Sequence, residues 1–325
     1  MTISLRSLAL TTALGLAFAG AAQADVTIRY LSSHGGLSAH ELADELGYFD
    51  GTGITLENVG YASGGPESLM ALAGGSVELG SAATAAVLNA IANGNDFVAA
   101  YPSNGIDDQV QSIFYVLEDS PIKTVEDIAG KTVAVNTLGA HLDYTVREAL
   151  HQKGLAQDAA NLVTVPGPQL EQVLRSGQVD VSAFGYWQTT FEGAARRNGG
   201  LRAVFDDTDV LGEIAGGFIV LRRDWVDAHP AEARAFVEGS ARALDHARDN
   251  PDETRAILAR ALEKRGENPE VAQFFKGYGV RQGGVATERD LQFWIDVLER
   301  DGQLADGKLK AADILFAPAK TVAAK

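Results

Sequence analysis

The chain has no cysteine in its 325 residues, which excludes disulfides, thiolate metal ligation, a thiol nucleophile and a lipid-bearing cysteine behind an export signal. It is also poor in positive charge: 27 Lys and Arg stand against 43 Asp and Glu, a net charge of −16. A surface of that sign disfavours nucleic acid and anionic membranes. An anionic solute stays open, because a pocket sets its own local field. Long apolar runs are scarce as well, and the one at residues 8–19, behind Arg6, is too short to cross a bilayer. There is no Gly-x-Ser-x-Gly elbow, no His-Glu-x-x-His pair and no phosphate loop with its Lys.

What is present begins with a leader. The apolar run ends in Ala22-Gln23-Ala24, a small-x-small cleavage pattern, so residues 1–24 read as a signal peptide that leaves Asp25 first. A buried N-terminal helix is the rival reading. The remainder is long enough for two lobes, and 46% hydrophobic content supplies each with a core.

Residues 47–94 organise the rest. Ile54, Leu56 and Val59 form a short extended run beside turn glycines, and Ser63 or Gly64 caps a helix that tolerates Pro66 and favours Glu67 in its first turn. Leu69, Leu72 and Ala73 share one face, and Gly74 supplies a left-handed stop. Val77 and Leu79 open the next strand, and residues 81–84 turn into an Ala-rich helix. Strands alternating with short helices predict a parallel α/β unit with its ligand-facing loops at the strands' carboxyl ends.

The segments "ELGYFDGTGITLE", "ASGGPESLMALAGGSVELG", "SPIKTVEDIAGKTVAV" and "VLRRDWVDAHP" resemble those of ABC-importer solute-binding proteins in the aliphatic sulfonate, taurine, nitrate and thiamine-precursor (NMT1/THI5-like) group. The resemblance implies a type II periplasmic-binding-protein fold, two α/β lobes joined by a two-segment hinge. Residues 25–105 with 207–325 would form lobe 1 and residues 106–206 lobe 2. The irregular run 102–108 would be the first crossing and the acidic stretch 206–209 a surface loop or the second. Inside lobe 2, "EQVLRSGQVDVSAFGYW" paraphrases the earlier "ESLMALAGGSVELGSAA", as expected of two lobes with similar internal order.

Candidate contacts fall at strand ends. Ser32, Ser33 and His34 follow the first strand in a loop of small hydroxyls and glycines, where a plain turn is the alternative; Ser81, Ala82 and Thr84 follow a later one. The turn Thr137-Leu138-Gly139-Ala140-His141 opens a helix whose first N–H groups and positive dipole end suit an anion. From the family, Thr137, His141 and Tyr144 are carried over as ligand contacts; Gly139 and Ala140 depart from it, standing where relatives often have hydroxyls, and are candidates through their backbone. Tyr186 and Trp187 either wall an organic group or pack the core. Asp107, Asp108 and Glu213 lie near the suspected crossings, where an acid could meet an ammonium group. His229 and His246 read as helix-end or surface residues, and no His cluster argues for a metal.

The reading is a non-enzymatic, monomeric periplasmic protein that needs no cofactor. It would take up a small organic anion or zwitterion of the sulfonate or taurine class by lobe closure and deliver it to an inner-membrane ABC permease, without inserting into the membrane itself. Two alternatives stay open: a nitrogen heterocycle of the thiamine-precursor type, and an enzyme, since pyrimidine-forming and menaquinone-pathway enzymes share the fold. The pyrimidine-forming relatives carry a cysteine-rich segment that is missing here.

Overall fold

A computed structural model describes residues 25–107 and 109–316; the expected signal peptide and Asp108 lie outside them. In chain order the strands are β1 Val26–Ser32, β2 Ile54–Tyr61, β3 Leu79–Ala83, β4 Phe97–Ile106, β5 Ile113–Leu117, β6 Thr132–Val135, β7 Asn161–Thr164, β8 Val181–Phe184, β9 Leu201–Asp206 and β10 Ile214–Arg222. They form three sheets, β1-β2, β3-β10-β4 and β7-β6-β8-β5-β9. The expected all-parallel order holds only for the pairs β1–β2, β6–β7 and β6–β8. β10 lies antiparallel between β3 and β4, and β5 lies antiparallel between β8 and β9. The reason is topological: β5 and β10 are the strands that follow the two passages between the larger sheets, and each enters its new sheet from the opposite end.

The chain passes between the two larger sheets twice, after β4 and after β9. The first passage starts later than expected. Pro102-Ser103-Asn104-Gly105 is not irregular but continues β4 to Ile106, paired with β10 through three register shifts. Those irregularities are where a strand can accommodate a proline. The second passage is not an acidic surface loop. It is a short helix, Asp207–Leu211, capped by Asp206 accepting from the N–H of Asp209 at 3.0 Å, and Asp207 is fully buried. The two passages are tied together, Ser112 N–H donating to Asp207 Oδ1 at 2.8 Å and Thr208 Oγ1 to the Asp107 carbonyl at 3.0 Å.

The helix Gly65–Ala73 buries Leu69 and Leu72, but its left-handed stop is Gly75 (φ 71°), one residue beyond Gly74. Gly177 (φ 70°) does the same after the helix Leu170–Arg175, so the two paraphrased segments share a backbone device as well as a pattern. Apolar packing is split accordingly. One set of clusters surrounds β3, β4 and β10 with Phe218, Phe236 and Trp294; another surrounds the five-stranded sheet with Phe114, Val133 and Leu142.

Candidate functional site

A cavity of about 390 Å³ opens between the β3-β10-β4 sheet and the five-stranded sheet. Its wall is drawn from the carboxyl ends of strands: residues 32–41 after β1, 62–65 after β2, 81–83 at the end of β3, Asn136, Thr137 and Ala140 after β6, 166–168 after β7 and 186–191 after β8. Such ends are where an open α/β sheet leaves a crevice. The long C-terminal segment contributes Phe275, Gly277 and Tyr278.

Three helices present uncapped amino ends to this space. Gly64, Ala83 and Ala140 are the cap positions of Gly65–Ala73, Thr84–Ala92 and His141–Gln152; none makes a side-chain cap, and all three line the cavity. The first N–H groups of a helix have no partner within it, and the dipole adds a partial positive charge. The acid in the first turn of His141–Gln152, Asp143, is answered by Arg147 at 2.6 Å. Among the described residues the wall contains no Lys or Arg, so these ends and the hydroxyls of Ser33, Ser63, Thr137 and Thr189 are what an anion would meet.

One carboxylate stands on the wall, Glu41, and its oxygens are taken. Oε1 accepts from the hydroxyls of Ser32 and Tyr30 and from Arg265 Nη2 at 2.6 Å; Oε2 accepts from Ser38 N–H at 2.8 Å and Ser38 Oγ at 2.7 Å. Burial alone would raise its pKa, but the facing Arg265 and the donated hydrogen bonds hold it below the ordinary carboxylate range. Next to it, His40 lies between Ser38 Oγ and Tyr101 Oη, each 2.9 Å away, and burial brings its pKa down to about 4. That end of the cavity is polar but carries no free charge.

Of the residues named from the sequence, Ser32, Ser33, His34, Ser81, Ala82, Thr137, Ala140, Tyr186 and Trp187 lie on the wall. Ser32 turns its hydroxyl to Glu41, and His34 stacks on Tyr61 at 4.4 Å. Tyr186 is both wall and core: it is 3% exposed, and its ring fills the space over Gly216. Five of the named residues lie elsewhere. Thr84 is fully buried and donates to the Ala215 carbonyl at 3.2 Å. Gly139 donates its N–H to Asp143. Tyr144 donates to Gln303 and accepts from Asn89 at 3.0 Å. Glu213 faces a smaller cavity of about 250 Å³ with Asp107 and Arg281.

His141, the fifth, is the instructive case. It begins the helix that meets the cavity, yet its ring points into the protein, fully buried, with Nε2 2.7 Å from Asp207 Oδ2 and with Tyr186, Trp187 and Trp294 around it. It ties the helix start to the second passage between the sheets. It is a positioning residue rather than a wall residue.

Sequence reasoning missed Glu41, Asn136, the run 188–190, Phe275 and Tyr278. Ser38-Ala39-His40-Glu41 has the form of a capping box, which was a readable signal for Glu41. Tyr278 donates to the Leu37 carbonyl across 241 positions, and no local pattern announces that.

Comparison with known proteins places this geometry. A model of the NMT1/THI5-like family matches residues 38–254. A curated relative from Escherichia coli (strain K12), named for the binding of aliphatic sulfonates, is 28% identical over 198 residues, 61% of this chain and 60% of the relative. The chain thus matches about 60% of that relative's length. Among solved structures, the periplasmic aliphatic sulphonate binding protein of Escherichia coli superposes with a TM-score of 0.70 at 22% identity, covering 92% of this chain and 94% of its own. The alkanesulfonate-binding protein of Xanthomonas axonopodis pv. citri, solved with MOPS bound, gives 0.70 at 19% identity over 91% and 99%.

Proposed function

The chain belongs to the NMT1/THI5-like family, and from that premise we propose that it is the periplasmic solute-binding component of an ABC importer. It has the type II periplasmic-binding-protein fold. In our reading residues 25–105 with 207–316 form one lobe and residues 106–206 the other. The lobes close over a small organic anion or zwitterion of the sulfonate class, and the closed form delivers it to a membrane permease. The protein binds its solute without transforming it.

The observation that carries this reading is the convergence of three uncapped helix amino ends, at Gly64, Ala83 and Ala140, on a cavity that has no Lys or Arg among the described residues of its wall. A tetrahedral anionic head with several acceptor oxygens matches N–H groups that converge from different directions, and no proton or cation is needed to hold it. A second reading, a nitrogen heterocycle, has one observation in its favour: Asn136 Oδ1 is buried on the wall with no hydrogen-bond partner, ready to accept from a ring N–H.

Calorimetric titration of the purified protein with alkanesulfonates, taurine, nitrate and pyrimidines tests both. Saturable binding of a sulfonate, recovered unchanged afterwards, is the expected result. Silence toward every sulfonate removes the first reading, and heat with pyrimidines alone moves the assignment to the second.

A further inference from the structure

We propose that Arg265 sets the class of solute: by engaging Glu41 it leaves the cavity no free carboxylate, so the bound sulfonate is one whose other end is uncharged, and ammonium-bearing sulfonates are rejected. This rests on the sulfonate reading of the same cavity and narrows it.

Glu41 is the only Asp or Glu on the wall among the described residues. An ionised carboxylate has roughly four acceptor positions. Five donors fill them here, from Tyr30, Ser32, Arg265 and both the N–H and hydroxyl of Ser38. Arg265 caps the helix Pro251–Lys264, is 12% exposed at its side chain, and fixes its second nitrogen on the Gly36 carbonyl at 2.8 Å. Its guanidinium therefore stays where it is when the cavity fills, and it cancels the one negative charge an ammonium would seek.

The other acids near the cavity do not substitute. Glu267, whose Oε2 accepts from Gly35 N–H at 2.7 Å, does not line the cavity, and neither do Glu67 and Asp143, which accept from the N–H groups of Ser63 and Gly139. Asp107 and Glu213 face the smaller cavity. The imidazole of His40, kept low by burial, adds no charge of either sign near neutral pH. What remains for a cation is neutral: Asn136 Oδ1, which has no hydrogen-bond partner, hydroxyl oxygens such as those of Ser33 and Ser63, and the rings of Trp187 and Phe191 on the wall. Desolvating an ammonium for so little return is strongly unfavourable. An uncharged chain or ring loses nothing on entering beside Leu37, Ile219, Phe275 and Phe191, all wall residues.

The test is a matched pair, propane-1-sulfonate and taurine, which differ by a methyl in place of the ammonium. Titrated into the full-length wild-type protein, propane-1-sulfonate should bind at least about tenfold more tightly. In Arg265→Gln the affinity ratio should move toward taurine by at least about tenfold, and adding Glu41→Gln to that variant should cancel the move. Taking the ratio within one protein removes any general loss of affinity. Equal or tighter taurine binding by the wild-type protein overturns the proposal, whether or not the variants fold. An unmoved ratio in a folded Arg265→Gln protein overturns the role of Arg265. Absence of binding by either sulfonate, with pyrimidines binding instead, removes the sulfonate reading and this inference with it.

Discussion

His40 shows how far one buried side chain can govern the molecule's response to pH. Packed at 2% exposure between Ser38 and Tyr101, with Glu41 and Tyr30 around it, it is held by burial at a pKa of about 4, against 6.5 for the free side chain. The sign follows from linkage: between those two values the unfolded chain takes up a proton that the folded protein refuses, so stability falls as pH falls through that window and is fully present above 6.5. The loss from pH 7 to pH 4.5 should be on the order of 2–3 kcal/mol from this group alone. In His40→Gln that part of the slope should vanish. Urea unfolding of both proteins at the two pH values measures it; parallel losses in wild type and variant would contradict the assignment. Glu41 acts in the same direction, its lowered pKa giving stability that disappears as its carboxylate protonates, so the comparison has to be made between proteins rather than within one.

At the level of the element, the left-handed glycines separate pattern from conformation. Residues 65–75 and 170–177 are recognisable as related because both run from helix through glycine to strand, and both strand ends then deliver wall residues. Which glycine takes the positive φ is less legible: Gly74 and Gly75 are neighbours, and only helix length decides that Gly75 turns. Gly177 has no competitor, and nothing lies within 4 Å of the place a methyl group would occupy on it. Gly177→Ala should therefore cost about 1 kcal/mol, the left-handed strain alone, with solute affinity unchanged. Thermal unfolding and titration together check it. A much larger loss would mean that the turn has packing duties beyond its φ.

On the scale of the whole molecule, the closure we propose would rest on contacts between the two sides of the cavity. Thr190 Oγ1 donates to the Gly35 carbonyl at 3.0 Å, and Gly64 approaches the side chains of Asn136 and Thr137. Gly35 is committed twice: its φ is 71°, and a Cβ there would lie 2.7 Å from the Phe191 ring. Gly35→Ala should then hold the two sides apart. We expect sulfonate affinity to drop by about tenfold or more, and small-angle scattering to show less contraction on adding solute than in the wild type. An unchanged affinity with full contraction would place the latch elsewhere.

Local chemistry and period were enough for much of this protein. The long helices Pro230–Asp249 and Pro251–Lys264 announce themselves by proline at their first position, Thr287 with Asp290 announces the start of Glu288–Arg300, and strand ends rich in small residues announce the cavity rim. These features depend on residues within one turn or one strand of each other. The antiparallel insertion of β5 and β10, the inward turn of His141 onto Asp207 and the masking of Glu41 by Arg265 belong to another class; the last two join residues 66 and 224 positions apart. Topology decided the first, burial and hydrogen bonding between distant segments the other two, and these come into existence only when those segments exclude water together.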